Sequence, residues 1–167
     1  MKIDYTASCY IFNEDFSKVL LLFHKKLRKW LPAGGHVEPN ETPTNAAIRE
    51  AREETGLNVK LVRQENVWID RWNAKSTERP FLCLVEEIPA TGPIPKHQHM
   101  DFVFVGTSRE TVCSINERES LSVHWFTMEE VLDLKPDVDI YVESQQVIQA
   151  IVATFAPPRH AALALQA

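Results

Sequence analysis

The 167-residue sequence predicts a layered domain of the α/β (α+β) class, in which helices cover a mixed sheet. Three features carry that prediction. Short runs rich in β-branched and aromatic residues recur along the chain, capped helix-forming segments lie between them, and no internal repeat overrides the pattern. A chain of this length can bury roughly two thirds of its unfolded surface in a single core. Residues 1–158 are therefore read as one domain, and 159–167, after Pro157-Pro158, as a frayed tail.

The elements follow in order. Residues 3–12 and 19–24 are rich in Ile, Tyr, Val, Leu and Phe and flank the turn-prone Asn13-Glu14-Asp15, so they read as two strands joined by a short loop. The basic run Lys25, Lys26, Arg28, Lys29 leads into Trp30-Leu31-Pro32-Ala33-Gly34-Gly35, whose proline and glycines predict a loop. Thr42 as N-cap, Pro43 at the first helical position and Gly56 as the stop define a helix over 43–55. Strand-like runs follow at 58–68, 80–87, 99–106 and 120–125, separated in part by polar or proline-rich loops at 70–79 and 88–98. Thr127 and Glu130 form a capping box that starts a short helix, and Asp139 is the expected cap of a last helix reaching Phe155.

Composition narrows the functional classes. Hydrophobic residues make up 44% and charged residues 25%, as in ordinary soluble proteins. The first residues lack the basic flank and apolar core of a signal peptide, and no apolar run approaches the ~20 residues of a membrane helix. A cytoplasmic protein with no membrane partner is expected. Cys9, Cys83 and Cys113 are odd in number, far apart and without a CxxC pair, so they read as reduced, buried thiols. A net charge of −5 argues against a broad basic surface for a nucleic-acid polymer. An anionic ligand would need a cation between it and the protein.

The predicted helix carries an unusual charge pattern. With successive residues about 100° apart, Glu50, Glu53 and Glu54 share one face, while Ala47, Ile48, Ala51 and Thr55 form another that can pack on the sheet. Like charges at these spacings repel by about 0.2–0.5 kcal/mol per pair. Glu53 and Glu54 also occupy the last turn, where the helix dipole disfavours anions by about 0.3–1 kcal/mol each. Arg49 offsets part of this, so a solvated charged face remains one reading. The other is a site for a hard divalent cation, which takes clustered oxygen ligands and could gain a carbonyl from the nearby Gly34-Gly35.

The segment Gly35-His-Val-Glu-Pro-Asn-Glu41, continued by Arg49-Glu50-Ala51-Arg52-Glu53-Glu54-Thr55-Gly56-Leu57, resembles the Nudix box, GX5EX7REUXEEXGU. Every fixed position matches, a coincidence expected by chance about once in a million chains of this length. Ala51 is a mild departure at a position that is usually bulky or aliphatic. The likeness covers 23 of 167 residues and extends to His124-Trp125-Phe126-Thr127-Met128-Glu129-Glu130, which resembles a late strand-to-helix passage of Nudix domains.

The resemblance implies a Nudix fold, a mixed sheet sandwiched between helices, and metal-dependent hydrolysis of a diphosphate linkage. By the same resemblance Glu50, Glu53, Glu54 and the carbonyl of Gly34 would ligate Mg²⁺ or Mn²⁺. Glu41 and Arg49 would support and orient those ligands, and Glu53 would serve as general base. The implied substrate is a small nucleoside diphosphate linked to another group, with a homodimer also compatible. A non-catalytic Nudix ligand sensor is the alternative, although such modules usually have damaged boxes. An isomerase of shared fold would need a cysteine beside the acids, where Cys83 cannot be placed from sequence.

Outside the box the candidates are weaker. Glu117 and Glu119 precede the last strand, where Nudix enzymes often carry another ligand, but acids in a polar loop are more often solvated. His97, His99 and Asp101 alternate and so share a strand face, compatible with substrate binding or with plain edge polarity. Lys26 and Arg28 could reach a phosphate, and Trp72 could stack on a base, while Trp68 reads as core. His36 sits at a variable box position and receives no role. The family's ADP-ribose proline would fall at Trp72 or Asn73 and is absent, as are the diadenosine-polyphosphate tyrosine near 73–75 and SQPWPFPxS. Nucleoside triphosphates, oxidised ones included, remain as the default substrates.

Overall fold

A computed structural model of the chain describes residues 2–64 and 67–157. The main sheet is built on β1 (Ile3–Asn13), which pairs antiparallel with β2 (Lys18–His24). Two short strands, β3 (Trp30–Leu31) and β4 (Ala33–His36), pair antiparallel with β2 and β1 respectively. After helix α1 (Pro43–Thr55) come β5 (Lys60–Leu61) and a separate small hairpin of β6 (Asp70–Arg71) and β7 (Ala74–Lys75). Strands β8 (Leu82–Ile88), β9 (His97–Ser108) and β10 (Ser120–Thr127) complete the sheet, followed by α2 (Met128–Asp133) and α3 (Val142–Phe155). The order runs β10-β2-β1-β9-β5, with β8 also on β9; the β1–β9 pair is parallel and makes the sheet mixed.

Strand alternation sends β1 side chains to two cores. Ala7, Cys9 and Ile11 join Leu20, Leu22 and Phe104 beneath α1, which contributes Ala46, Ala47 and Ala51. Tyr10 and Phe12 join Leu21, Val103, Val105 and Phe126 on the other face, covered by Val131 of α2 and Ile148, Ile151 and Val152 of α3. The alanines let α1 lie close to the sheet. The sandwich expected from the sequence is the observed architecture.

The caps are as expected for α1 and α2. The Thr42 side chain accepts from the Asn45 amide, Pro43 opens α1, and Gly56 closes it with φ of 72°. Thr127 and Glu130 form the reciprocal capping box. For α3 the sequence reading is corrected: Tyr141 holds the N-cap position, the Val142 amide donates to Asp137 Oδ1 at 3.3 Å, and Asp139 instead accepts from the Lys135 amide.

Other differences have local causes. The stretch expected as a loop at 25–35 contains β3 and β4, because Gly34 and Gly35 take no positive φ and lie along β1 opposite Ser8 and Ala7. The run expected as a strand at 58–68 keeps only Lys60–Leu61, opposite Thr107 and Gly106 on β9, and Glu65 and Asn66 within it lie outside the described residues. The expected loop at 70–79 holds the β6–β7 hairpin. Ile48 is 38% exposed, and Ala46 takes its place in the packed stripe. Among the cysteines Cys9 is buried, Cys113 half-buried and Cys83 exposed; all three are free thiols. The tail expected at 159–167 lies outside the described residues.

One polar contact joins the two helices of the second layer. Gln145 Nε2 donates to the Val131 carbonyl at 2.8 Å, which also accepts the Leu134 amide at 3.3 Å, and to the Leu134 carbonyl at 2.9 Å just past the end of α2. Gln145→Leu keeps the volume but removes the donor from the buried end of α2 and leaves the Leu134 carbonyl without it, so chemical denaturation should show a loss of about 1–3 kcal/mol.

Candidate active site

The box folds into β4, a short connection and α1, with Arg49 at its centre. Arg49 Nε donates to Glu41 Oε1 at 3.0 Å and Nη2 to Glu41 Oε2 at 2.9 Å, a two-pronged grip. Nη1 donates to Glu50 Oε1 at 2.7 Å and Glu53 Oε2 at 3.2 Å, and Nη2 also reaches the His36 carbonyl at 3.0 Å. These five contacts use all five guanidinium donors. The Arg49 bond holds the Glu41 carboxyl below its usual range, and Glu41 in turn pushes the guanidinium further towards its charged form.

Glu54 lies outside that grip. It is 5% exposed and accepts the Gly34 amide at Oε2, 2.9 Å away. Burial, reinforced by Glu50 and Glu119, pushes its carboxyl up to about 8. Burial also raises Glu50, against the pull of Arg49. Gly34 makes this contact through its amide, a group separate from the carbonyl expected to ligate a metal. Gly35 brings the strand against the helix: a Cβ there would overlap the Glu50 carboxylate.

Glu119 reaches this cluster through a loop tied to the end of α1. The Ser114 amide donates to the Thr55 carbonyl at 2.9 Å and the Asn116 amide to the Glu54 carbonyl at 3.3 Å. Glu119 stands close enough to Glu54 for their carboxyls to share a hydrogen bond. Its carbonyl accepts the Lys25 amide at 2.8 Å, bringing the basic turn alongside. Glu117 is exposed on the same loop.

The remaining candidates scatter. Lys26 is exposed beside His24, and the Arg28 guanidinium lies 5.1 Å from the centre of the Phe23 ring. Trp72 is 95% exposed at the tip of the β6–β7 hairpin. Trp68, expected in the core, is half-buried with Arg63 stacked 3.5 Å over its ring. His97, His99 and Asp101 do share one face of β9, the face away from α1 that also presents Val103. Asp101 accepts from Thr6 Oγ1 at 2.8 Å, and its burial raises its carboxyl. Across from His99 on β8, Glu86 is pushed up to about 7 by burial and then by Asp101 and Glu143.

The sequence reading missed an apolar groove beside Glu41. Tyr5 and Phe102 stack with ring centres 6.2 Å apart and line it with Val37, Pro39 and Pro43. The available signal was the alternation of β1, which sends Tyr5 to the α1 face but beyond the helix N-terminus, where it is left exposed.

The family model for the NUDIX domain matches residues 2–145. The chain belongs to the Nudix family. A Nudix-family hydrolase from Clostridium perfringens superimposes with a TM-score of 0.72 and 30% identity, covering 93% of this chain and 99% of that one. Mouse diphosphoinositol polyphosphate phosphohydrolase 3-alpha is 34% identical over 84 residues, which are 49% of this chain and 51% of that protein. A probable DHNTP pyrophosphohydrolase of Lactococcus lactis subsp. cremoris is 33% identical over 100 residues, 60% of this chain and 51% of its own. The chain thus spans about half the length of these curated Nudix relatives. No described helix is long and apolar enough to cross a membrane.

The Glu86 carboxyl gives this Nudix chain a testable pH response. Its folded-state value lies above its unfolded one, so its contribution is fully present below about pH 4.5 and is lost as pH rises through about 7. Glu86→Gln should therefore flatten the fall in stability across that window, measured as melting temperature against pH. Parallel curves for the two proteins would contradict this assignment.

Proposed function

We propose that this protein is a metal-dependent pyrophosphohydrolase that splits the diphosphate linkage of a small nucleotide-like substrate. The observation carrying this reading is the charge imbalance beneath α1. Arg49 commits every donor to Glu41, Glu50, Glu53 and a carbonyl, while the buried Glu54 has an amide and further carboxylates around it. Such a donor set lacks positive charge and supplies only oxygen, which fits Mg²⁺ or Mn²⁺.

Glu50, Glu53 and Glu54 would hold the metal, with Glu119 beside them. The metal, when bound, supplies positive charge against the phosphate oxygens and the leaving oxygen. Of the two helix glutamates that Arg49 holds, Glu53 is the more exposed, 57% against 12% for Glu50, and is the one open to an entering water. As water oxygen bonds to phosphorus and the bridging P–O bond breaks, Glu53 accepts the water's proton. Arg49 keeps Glu41, Glu50 and Glu53 in place throughout. Gly35 lets Glu50 sit against the strand.

The organic group can lie over the Tyr5–Phe102 stack, whose groove borders Glu41. Relatives named for diphosphoinositol polyphosphates and for DHNTP differ in organic group and share a phosphoanhydride, which supports assigning the box to that linkage. Nucleoside triphosphates, DHNTP and diphosphoinositol polyphosphates form the substrate panel to test.

With Mg²⁺ present, one member of the panel should release phosphate or pyrophosphate. Glu53→Gln and Glu54→Gln should each lower kcat/KM by about 10²-fold or more with the fold intact by circular dichroism. Unchanged turnover in both variants, or metal binding without turnover of any panel member, would sink the proposal. Gly35→Ala should weaken Mg²⁺ binding in a calorimetric titration, since the added methyl displaces Glu50; equal affinity would remove Glu50 from the ligand set.

A further inference from the structure

On the sheet face turned away from α1, three strands bring nitrogen and oxygen ligands together. Asp4 stands beside His99 in the β1–β9 register, and Thr6 stands beside His36 in the β1–β4 register. The side chains of Asp4, His36, His97 and His99 lie with Thr6 and Asp101, because alternation sends Ala7, Cys9 and Gly35 to the α1 side. Ligand atoms of Asp4, His36 and His99 all lie within 4.8 Å of one another. His97 Nε2 is 3.2 Å from His99 Nε2 and 3.9 Å from Asp4 Oδ2.

We propose that Asp4, His36, His97 and His99 form a second metal site, for a borderline transition dication of the zinc type, separate from the carboxylate site. A tetrahedral ion with ligands at about 2.0–2.1 Å has ligand-to-ligand edges of about 3.3–3.4 Å. The His97–His99 nitrogen spacing already matches that edge, and the ligand atoms of Asp4, His36 and His99, within 4.8 Å of one another, would be drawn in by the ion through side-chain rotation. His97 is also oriented for the task. With its proton on Nδ1 it donates to the Pro95 carbonyl at 2.9 Å, which turns the Nε2 lone pair into the cluster.

The ligand chemistry separates the two sites. Three imidazoles and one carboxylate suit Zn²⁺ or Co²⁺, while the all-oxygen set on α1 suits Mg²⁺. Lys2 Nζ bonds Asp4 Oδ1 at 2.9 Å, an exposed contact that the ion would replace or share. The bland alternative is a cluster of stacked rings, since His99 packs at 5.1 Å against both His36 and His97.

Co²⁺ titration of the full, untagged chain in excess Mg²⁺ distinguishes them. One equivalent should produce the intense visible absorption of four-coordinate Co²⁺, abolished by Zn²⁺. The absorption should disappear in His99→Ala and weaken in affinity by at least about tenfold in Asp4→Asn, and it should persist in Glu53→Gln. Ring-nitrogen NMR of the unsubstituted protein guards against a variant that fails to fold: one equivalent of Zn²⁺ should move the His36, His97 and His99 resonances and leave His24 and His124 in place. Absence of the visible bands, their survival in His99→Ala, their loss in Glu53→Gln, or unmoved resonances of the three histidines would each overturn the assignment.

Discussion

The structure hangs on the placement of β1 between partners. It pairs in parallel with β9 over Ile3–Asn13 and antiparallel with β2 and β4, so its alternation sets which side chains face which layer. A slip of one residue would send Ala7 and Cys9 away from α1 and force Thr6 and Ser8 beneath it. The small residues on the α1 side allow the helix to approach closely. On the other side, Asp4 and Thr6 at the start of β1 put polar side chains where the core ends, and Thr6 bonds Asp101.

That close approach explains an otherwise unfavourable helix. Three glutamates crowd one face, two of them at the negative end of the helix dipole, and one lies buried. Arg49 offsets part of the repulsion through contacts that also fix the strand before the helix, since it reaches the His36 carbonyl as well as Glu41. The offset is incomplete at Glu54, whose carboxyl is held up to about 8 by burial and its acidic neighbours. Stability alone would favour a different residue there, and this tension between packing and charge supports the metal-binding role proposed for Glu54.

Much of this was legible in the sequence where the signal is local. Thr42, Pro43 and Gly56 delimit α1 to the residue, and Thr127 with Glu130 marks α2, because caps and left-handed stops depend on near neighbours. The box motif likewise lies within one contiguous stretch. Long-range choices were not legible. Gly34 and Gly35 read as breakers until β1 supplies a partner, and Asp139 reads as a cap until Lys135 claims it. Tyr5 and Phe102 are 97 positions apart in sequence and meet only through the parallel pairing, as do Asp4 and His99.

The end of α1 shows a further economy of the fold. A helix finishes with carbonyls that have no partner within it. Here the carbonyls of Glu54 and Thr55 accept the amides of Asn116 and Ser114, and Gly56 opens the space by its left-handed turn and lack of a side chain, where a Cβ would overlap the Ser114 hydroxyl. The segment so captured carries Glu119. An acid remote in the chain is thus delivered to the helix by the helix's own unfinished hydrogen bonds, which fix it beside the glutamates it joins.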